Sequence, residues 1–548
     1  MENPFISYIG QRHTWVEAQL EKLSAAARIA QLIHVAAYSN RDQAHIEYIL
    51  ELVGQYQIGG LTFFQGEPGE QARLTNLYQA AAQTPLMISI DAEWGLGMRL
   101  DHTIHFPYQM ALGAIHDERF IYEMGAEIAR QCKRIGIHLN FAPVVDVNNN
   151  PANPVIGFRS FGEDVPNIIS KARAYMKGMQ DEKVMACAKH FPGHGDTDVD
   201  SHFSLPTITH DRARLEAVEL VPFRALIKAG VGSIMVAHLH IAAIDSVKGR
   251  ASSLSPDIVN GLLKKDLDYK GLVITDALDM KGVSQSDSAA TVGMKALLAG
   301  NDVLLNITDV PGTIAAIQQA MAEGKITQEE IDERCRKNLK AKWWMGLDKY
   351  EPIKLTGVYK DINQPEAFGL CHQLHRASIS VIRNEGYIIP LAATDKVATI
   401  AVHIDSPAEL LPKELAQHSL EKGADDANKD AQLTIFQQYM DDIRFVDHYR
   451  IDSQTSSAEL KQLLTKFQAY DTLLLSLHGI AVKAKNRFGI SDKMIAQVNA
   501  ILEFDQVISC VFASVYTLDV FEMHKSKGLI LAYQENELTQ VCVGELFG

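Results

Sequence analysis

"VMACAKHFPGHGDTDVDSH" (residues 184–202) changes character halfway along. Its first part is a short apolar run that ends in Lys189 and His190. The remainder crowds His194, Asp196, Asp198, Asp200 and His202 around Gly193 and Gly195. An apolar run of this length without alternation reads as a strand buried on both faces, the kind found in parallel sheets. The glycines let the backbone turn sharply, and the polar residues after them lack the periodicity of a core element. The stretch therefore predicts a parallel strand that delivers ionisable side chains to a loop.

The pattern recurs up to about residue 310. Further strand candidates are "AQLIHVAA" (30–37), "IGGLTFF" (58–64), "LMISID" (86–91), "IHLNFAPVV" (137–145), "GSIMVAH" (232–238), "GLVITD" (271–276) and "NDVLLN" (301–306). Helical patterns lie between them. In 211–229, Leu215, Val218 and Leu226 share a face; in 255–265, Ser255 supplies an N-cap and Pro256 the first turn. Eight alternating β and α units predict a (β/α)8 barrel of the TIM type rather than a doubly wound sheet. "IAQLIHVAA" also suits the end of the preceding helix, so the first strand is the least defined.

Periodicity fades over 345–370, in "MGLDKYEPIKLTGVYKDINQPEAFG", which reads as a linker. Beyond it, "ASISVIRN", "KVATIAVHI", "IRFVDHY", "TLLLSLHG", "QVISCVFAS" and "GLILAYQ" alternate with helical stretches. The predicted organisation is an α/β protein with a barrel over 1–345, a linker over 346–370 and a smaller C-terminal α/β sandwich over 371–548. The insert "EKGADDANKD" (421–430) reads as a solvated loop.

Composition narrows the function classes. A net charge of −15 argues against a nonspecific nucleic-acid binder, which needs a basic face. Cys132, Cys187, Cys335, Cys371, Cys510 and Cys542 are dispersed without a CxxC pair, so no zinc knuckle or disulfide framework is indicated and buried thiols are expected. "MENPFISYIGQRHTW" lacks the charged and apolar regions of an export signal, and no run of eighteen apolar residues exists to span a bilayer. The expectation is a soluble chain, cytoplasmic as given, or periplasmic or secreted if a leader has been removed. Oligomeric state is left open.

In a parallel barrel the active site forms at the C-terminal ends of the strands. The candidate strands end in Asp91, Asp146, Lys189 with His190, His238 with His240, Asp276 and Asn306. Ionisable groups gathered at one mouth suit acid–base or nucleophilic work. Asp276, delivered off "GLVIT", is placed to attack an anomeric carbon or stabilise an oxocarbenium ion. Asp200 precedes His202 by two residues, close enough for the carboxylate to orient the imidazole, which can act as acid and then base near neutral pH.

These residues carry a resemblance. "KHFPGHGDTDVDSH" fits the signature Lys-His-(Phe or Ile)-Pro-Gly-(His or Leu)-Gly, four variable positions, Asp-(Ser or Thr)-His at every fixed position. With "ITDALDM", "IDAEWGLGMRL" (90–100), "FRSFGED" (158–164) and "ASISVIRNEGYIIPL", it resembles the bacterial β-N-acetylglucosaminidases of glycoside hydrolase family 3 over nearly the whole chain. The resemblance implies Asp276 as nucleophile and His202, paired with Asp200, as acid/base. It implies Asp91, Arg99, Arg159, Lys189 and His190 as ligands of the terminal sugar. No metal or other cofactor is implied. The implied reaction is retaining hydrolysis of terminal β-linked N-acetylglucosamine from peptidoglycan fragments or related glycans. Trp94 stands where the family often has glycine, offering a face to stack on a sugar or fill the rim.

Rival readings keep the barrel. "HLH" (238–240), His190 and Asp276 could form a metal site for a hydrolase. A histidine acid/base also lets phosphate approach the glycosyl-enzyme, giving a phosphorylase. A β-glucosidase and a non-catalytic sugar-binding protein complete the alternatives.

Overall fold

A computed structural model describes residues 4–199, 205–284, 287–406 and 433–548. The chain divides into two compact units. The first comprises Met1–Phe106, Asp117–Asn150 and Ser160–Cys371; the second comprises Pro107–His116, Pro151–Arg159 and His372–Gly548.

In the first unit the strands are β1 (Ile33–Ala37), β2 (Gly60–Phe63), β3 (Met87–Ile90), β4 (Leu139–Asn140), β5 (Met185–Phe191), β6 (Thr207–Ile208), β7 (Ser233–Val236), β8 (His240–Ile241), β9 (Leu272–Thr275) and β10 (Leu304–Leu305). Eight of them form a parallel sheet in the order β10-β1-β2-β3-β4-β5-β7-β9. A parallel bridge between Ile274 and Val303 joins the two ends, closing the predicted barrel. Every strand candidate holds a barrel strand, and apolar side chains such as Met87, Leu139, Met185, Met235, Leu272 and Leu305 merge into one buried cluster. β6 and β8 pair separately, Thr207 opposite His240.

Local chemistry sets the differences from the predicted bounds. "IAQLIHVAA" serves both readings, because a helix over Ala25–Ala30 ends before β1 begins at Ile33. β4 is short: Pro143 follows closely and has no N–H to extend a ladder. β10 stops where Asn306 takes a left-handed φ of 57°. The predicted helix 211–229 breaks at Val218 into Arg212–Ala217 and Leu220–Ala229, although Leu215 and Leu226 are buried as expected. Ser255 does cap the next helix, Asp257–Asp266, accepting from Ile258 N–H.

The stretch 346–370 contributes to the first unit. Arg134 Nε donates to Asp361 Oδ2 at 2.7 Å, and Asn76 Nδ2 donates to the Ile353 carbonyl at 2.8 Å.

The second unit is built on β11 (Ser380–Asn384), β12 (Val397–His403), β13 (Asp447–Ile451), β14 (Thr472–His478), β15 (Val507–Val511) and β16 (Gly528–Leu531), in the order β11-β16-β15-β14-β12-β13. β11 runs antiparallel and the others parallel. Apolar clusters cover both faces, one with Ile400, Leu475 and Val498, the other with Phe436, Leu474 and Ile508, giving the predicted α/β sandwich. Two segments from the barrel's stretch of sequence fold here as well. Tyr108 N–H donates to Gln534 Oε1 at 2.7 Å, and the Tyr108 and Phe158 rings are 4.7 Å apart. All six cysteines are buried thiols outside any disulfide. Among the described residues no helix is long and apolar enough to cross a membrane.

Candidate active site

The residues after β3 and β5 build the centre of the site. Asp91 accepts from Arg99 Nη2 at 2.5 Å and from Lys189 Nζ at 2.7 Å. Lys189 Nζ also lies 2.8 Å from Glu93 Oε1, and the two side chains are 2% and 0% exposed. Burial opposes a charge on Asp91, but Lys189 and Arg99 outweigh it and hold the carboxyl well below the usual carboxylate range. Backbone contacts fix this segment: Asn140 exchanges hydrogen bonds with Ala92 N–H and C=O, and Tyr175 Oη donates to the carbonyls of Ala92 and Glu93.

The pairing of β5 with β7 slips between Ala188 and Phe191. A slip of this kind frees side chains from strict alternation and re-aims them. Lys189 thus meets Asp91, while the next residue, His190, meets Asp146. Asp146, wholly buried, accepts His190 Nδ1–H at 2.7 Å and the backbone N–H groups of His190 and His194 at 3.2 and 2.7 Å. Burial would raise its pKa, but His190 and these hydrogen bonds lower it on balance. With Nδ1 donating, a neutral His190 carries its lone pair on Nε2.

The loop that follows is tightly placed at its start. Gly193 has φ +129°, and a Cβ there would lie 2.7 Å from Glu219 Cβ. A Cβ on Gly195 would fall 1.8 Å from the Val147 carbonyl oxygen. His194, brought to a pKa of about 4 by burial and then by His190, is neutral and bonded to Thr197 Oγ1 at 2.9 Å. Asp196 pairs with His210 Nε2 at 2.6 Å. The predicted acid/base pair, Asp200 and His202, lies outside the described residues, as does the insert 421–430.

Asp276 follows β9 directly. Its Oδ1 accepts from Ala277 N–H at 2.8 Å, and its own N–H donates to the Val236 carbonyl. The side chain is half-buried. Burial disfavours its charge, yet His238, His190, the Ala277 N–H and Lys189 together lower its pKa, so it is ionised at neutral pH. His238 is held on both sides, Nδ1 2.7 Å from Ser253 Oγ and Nε2 donating to the Ala277 carbonyl at 2.9 Å. His240 begins β8. Among the described residues, His238, His240, His190 and Asp276 do not gather into a close cluster of ligand atoms.

Asp91, Arg99, Lys189, His190 and Asp276 therefore meet in the first unit, linked by ion pairs or by mutual electrostatic influence. Arg159 belongs to the second unit, in the turn Gly157–Arg159, with Nη1 donating to the Val155 carbonyl. Two members were given no role from sequence. Asp146 was visible as a carboxylate closing the apolar run "FAPVV", which demands buried partners. Glu93 gave no signal beyond its place in "DAEWG". The arrangement supplies an ionised carboxylate at a strand end beside a recessed, charge-balanced set of donors and acceptors, suited to grip hydroxyl groups while the carboxylate attacks.

The profile of the glycosyl hydrolase family 3 N terminal domain matches residues 24–341. The chain belongs to glycosyl hydrolase family 3. Among its relatives, the beta-hexosaminidase A of Pseudoalteromonas piscicida is 33% identical over 390 residues, 65% of this chain and 64% of that one. The chain thus spans just under two thirds of that relative. The beta-hexosaminidase LpqI of Mycobacterium tuberculosis is 31% identical over 57% of this chain and 80% of its own length. A solved family 3 beta-N-acetylglucosaminidase from Paenibacillus sp. str. FPU-7 superposes with a TM-score of 0.75 at 27% identity, covering 95% of this chain and 96% of that one. A beta-glucoside phosphorylase, BglX, shares the fold at 19% identity, with a TM-score of 0.78 and coverage of 97% and 93%.

Proposed function

We propose that this family 3 protein is a retaining exo-β-N-acetylglucosaminidase that hydrolyses terminal β-linked N-acetylglucosamine. The observation that carries the reading is Asp276: an ionised carboxylate at the end of β9, fixed by Ala277 N–H and flanked by His238. The hexosaminidase and N-acetylglucosaminidase names of its relatives support the choice of sugar.

In this mechanism Asp276 attacks the anomeric carbon and the glycosidic C–O bond breaks, forming a covalent glycosyl-enzyme. His202, oriented by Asp200, gives its proton to the leaving oxygen. It then takes a proton from the water that attacks the same carbon, releasing Asp276 with net retention. The support for this pair is the Asp-Ser-His end of the signature at 200–202. Asp91, Arg99, Lys189 and His190 would bind the hydroxyl and N-acetyl groups. A natural substrate among peptidoglycan fragments would follow the same chemistry.

The test is release of 4-nitrophenol from the β-N-acetylglucosaminide and the β-glucoside, by wild type and Asp276→Asn, with and without phosphate. Fast turnover of the N-acetylglucosaminide alone, independent of phosphate and lost in Asp276→Asn, is expected. Preference for the glucoside, or a requirement for phosphate, would replace the proposal with a β-glucosidase or a phosphorylase.

A further inference from the structure

The helix Pro365–Ser378 carries His372, and the helix Glu537–Gly544 carries Cys542, with Glu545 as its C-cap residue. Cys542 and Glu545 are three residues apart and so share a helix face. An imidazole nitrogen of His372, Cys542 Sγ and a carboxylate oxygen of Glu545 all lie within 4.8 Å of one another. We propose that His372, Cys542 and Glu545 form a zinc-type cation site in the second unit, made of residues that the sugar chemistry does not use.

Geometry supports it first. His372 Nε2 is 3.3 Å from Glu545 Oε1. Two ligands about 2.1 Å from a tetrahedral ion stand about 3.4 Å apart. Burial supports it second. Cys542 is wholly enclosed, and Glu545 Oε2 is closed to solvent and accepts no hydrogen bond, with Arg376 Nε 3.6 Å away. Ion pairs with His372 and Arg376 account for both Glu545 oxygens but leave the thiol without a part; a cation engages the imidazole, the thiol and the carboxylate together.

The donor set selects the ion. One sulfur, one imidazole and one carboxylate suit a borderline-soft metal such as Zn²⁺ and not Mg²⁺ or Ca²⁺, which take oxygen ligands. On binding, the Cys542 S–H bond breaks, its proton passes to solvent and a sulfur–metal bond forms, with no change of oxidation state. The thiolate and carboxylate then balance the dication, and water completes the fourth position. Such a clip would tie the C-terminal helix to Pro365–Ser378.

The full chain, stripped with chelator, is given one equivalent of Zn²⁺ or Co²⁺ and desalted. About one zinc per chain retained, a thiolate-to-cobalt charge-transfer band and a higher melting temperature are expected. Cys542→Ser and His372→Ala should lose all three signals. If either fails to fold, Glu545→Gln, which keeps size and shape, should weaken zinc binding at least about tenfold, the cost of losing one supporting interaction at a metal site. Zinc retained at wild-type stoichiometry by a folded Cys542→Ser, or a folded wild type that retains none, overturns the proposal. Hydrolysis of the N-acetylglucosaminide should be the same before and after stripping, since the site shares no residue with Asp276.

Discussion

His190 Nδ1 donates to Asp146 Oδ2 at 2.7 Å, and no part of Asp146 reaches solvent. The same carboxylate accepts the His194 N–H at 2.7 Å, so one buried charge fixes both an imidazole and the start of the loop that follows it. Asp146 acts through these two residues and is a positioning residue.

Asp146→Ala should therefore strand several buried donors at once. Each uncompensated group costs about 1–3 kcal/mol, so denaturant melts should show a loss of at least about 3 kcal/mol. A restoration of stability, and of kcat more than KM, by Asp146→Glu would argue for positioning; an unchanged melt in the alanine variant would refute the role.

Lys189 balances two carboxylates, Asp91 and Glu93. Removing one partner of a buried ion pair costs about 3–5 kcal/mol because the other charge stays behind. Lys189→Met should lose that much stability and raise KM for the N-acetylglucosaminide. Lys189→Met combined with Glu93→Gln should recover part of the stability, and a double variant no better than the single one would contradict the pairing.

His34 predicts a pH dependence. It is fully buried, with no hydrogen-bond partner at either ring nitrogen, and burial followed by Lys342 lowers its pKa to about 3. The unfolded chain, with a pKa of about 6.5, binds this proton first, so stability is lost as pH falls from about 6.5 towards 3. The cost is about 2 kcal/mol at pH 5 relative to pH 7.5. His34→Leu should remove it: the difference in unfolding free energy from wild type should shift in the variant's favour by about that amount between the two pH values, and an equal difference at both would count against it.

Gly195→Ala should be poorly tolerated, because the added Cβ would fall 1.8 Å from the backbone oxygen of Val147, which has no flexible end to yield. Activity should drop at least about tenfold, a barrier change of about 1.4 kcal/mol. Gly249→Ala, where a Cβ meets nothing within 4 Å but φ is positive, separates loss of space from loss of conformational freedom and should leave activity nearly unchanged.

Much of the barrel was legible because burial on both faces leaves a simple mark: "GLVIT" and "VMACA" are apolar without alternation, and the polarity that returns at Asp276 and Lys189 marks the strand ends. The pairing of side chains was less legible. The slip of β5 between Ala188 and Phe191, which sends neighbouring Lys189 and His190 to different carboxylates, depends on backbone pairing with β7, a contact that period and composition do not encode. Glu93 was hidden for a similar reason: its partner is 96 residues away in β5, and its neighbours Ala92 and Trp94 carry no sign of a buried cation opposite the carboxylate. The break at Val218 likewise reflects tertiary demands on Glu219, whose buried side chain lies 3.3 Å from Arg214.

The assignment of 107–116 and 151–159 to the second unit bears on ancestry and engineering. The polypeptide passes from one unit to the other at 106/107, 116/117, 150/151, 159/160 and 371/372. No single cut, then, yields a self-sufficient piece: a fragment ending at 371 would carry Tyr108 and Phe158 without Gln534 and the fold they belong to. Recombination could not exchange the C-terminal module as a cassette without also rewriting two short stretches upstream, so the two units are bound to vary together.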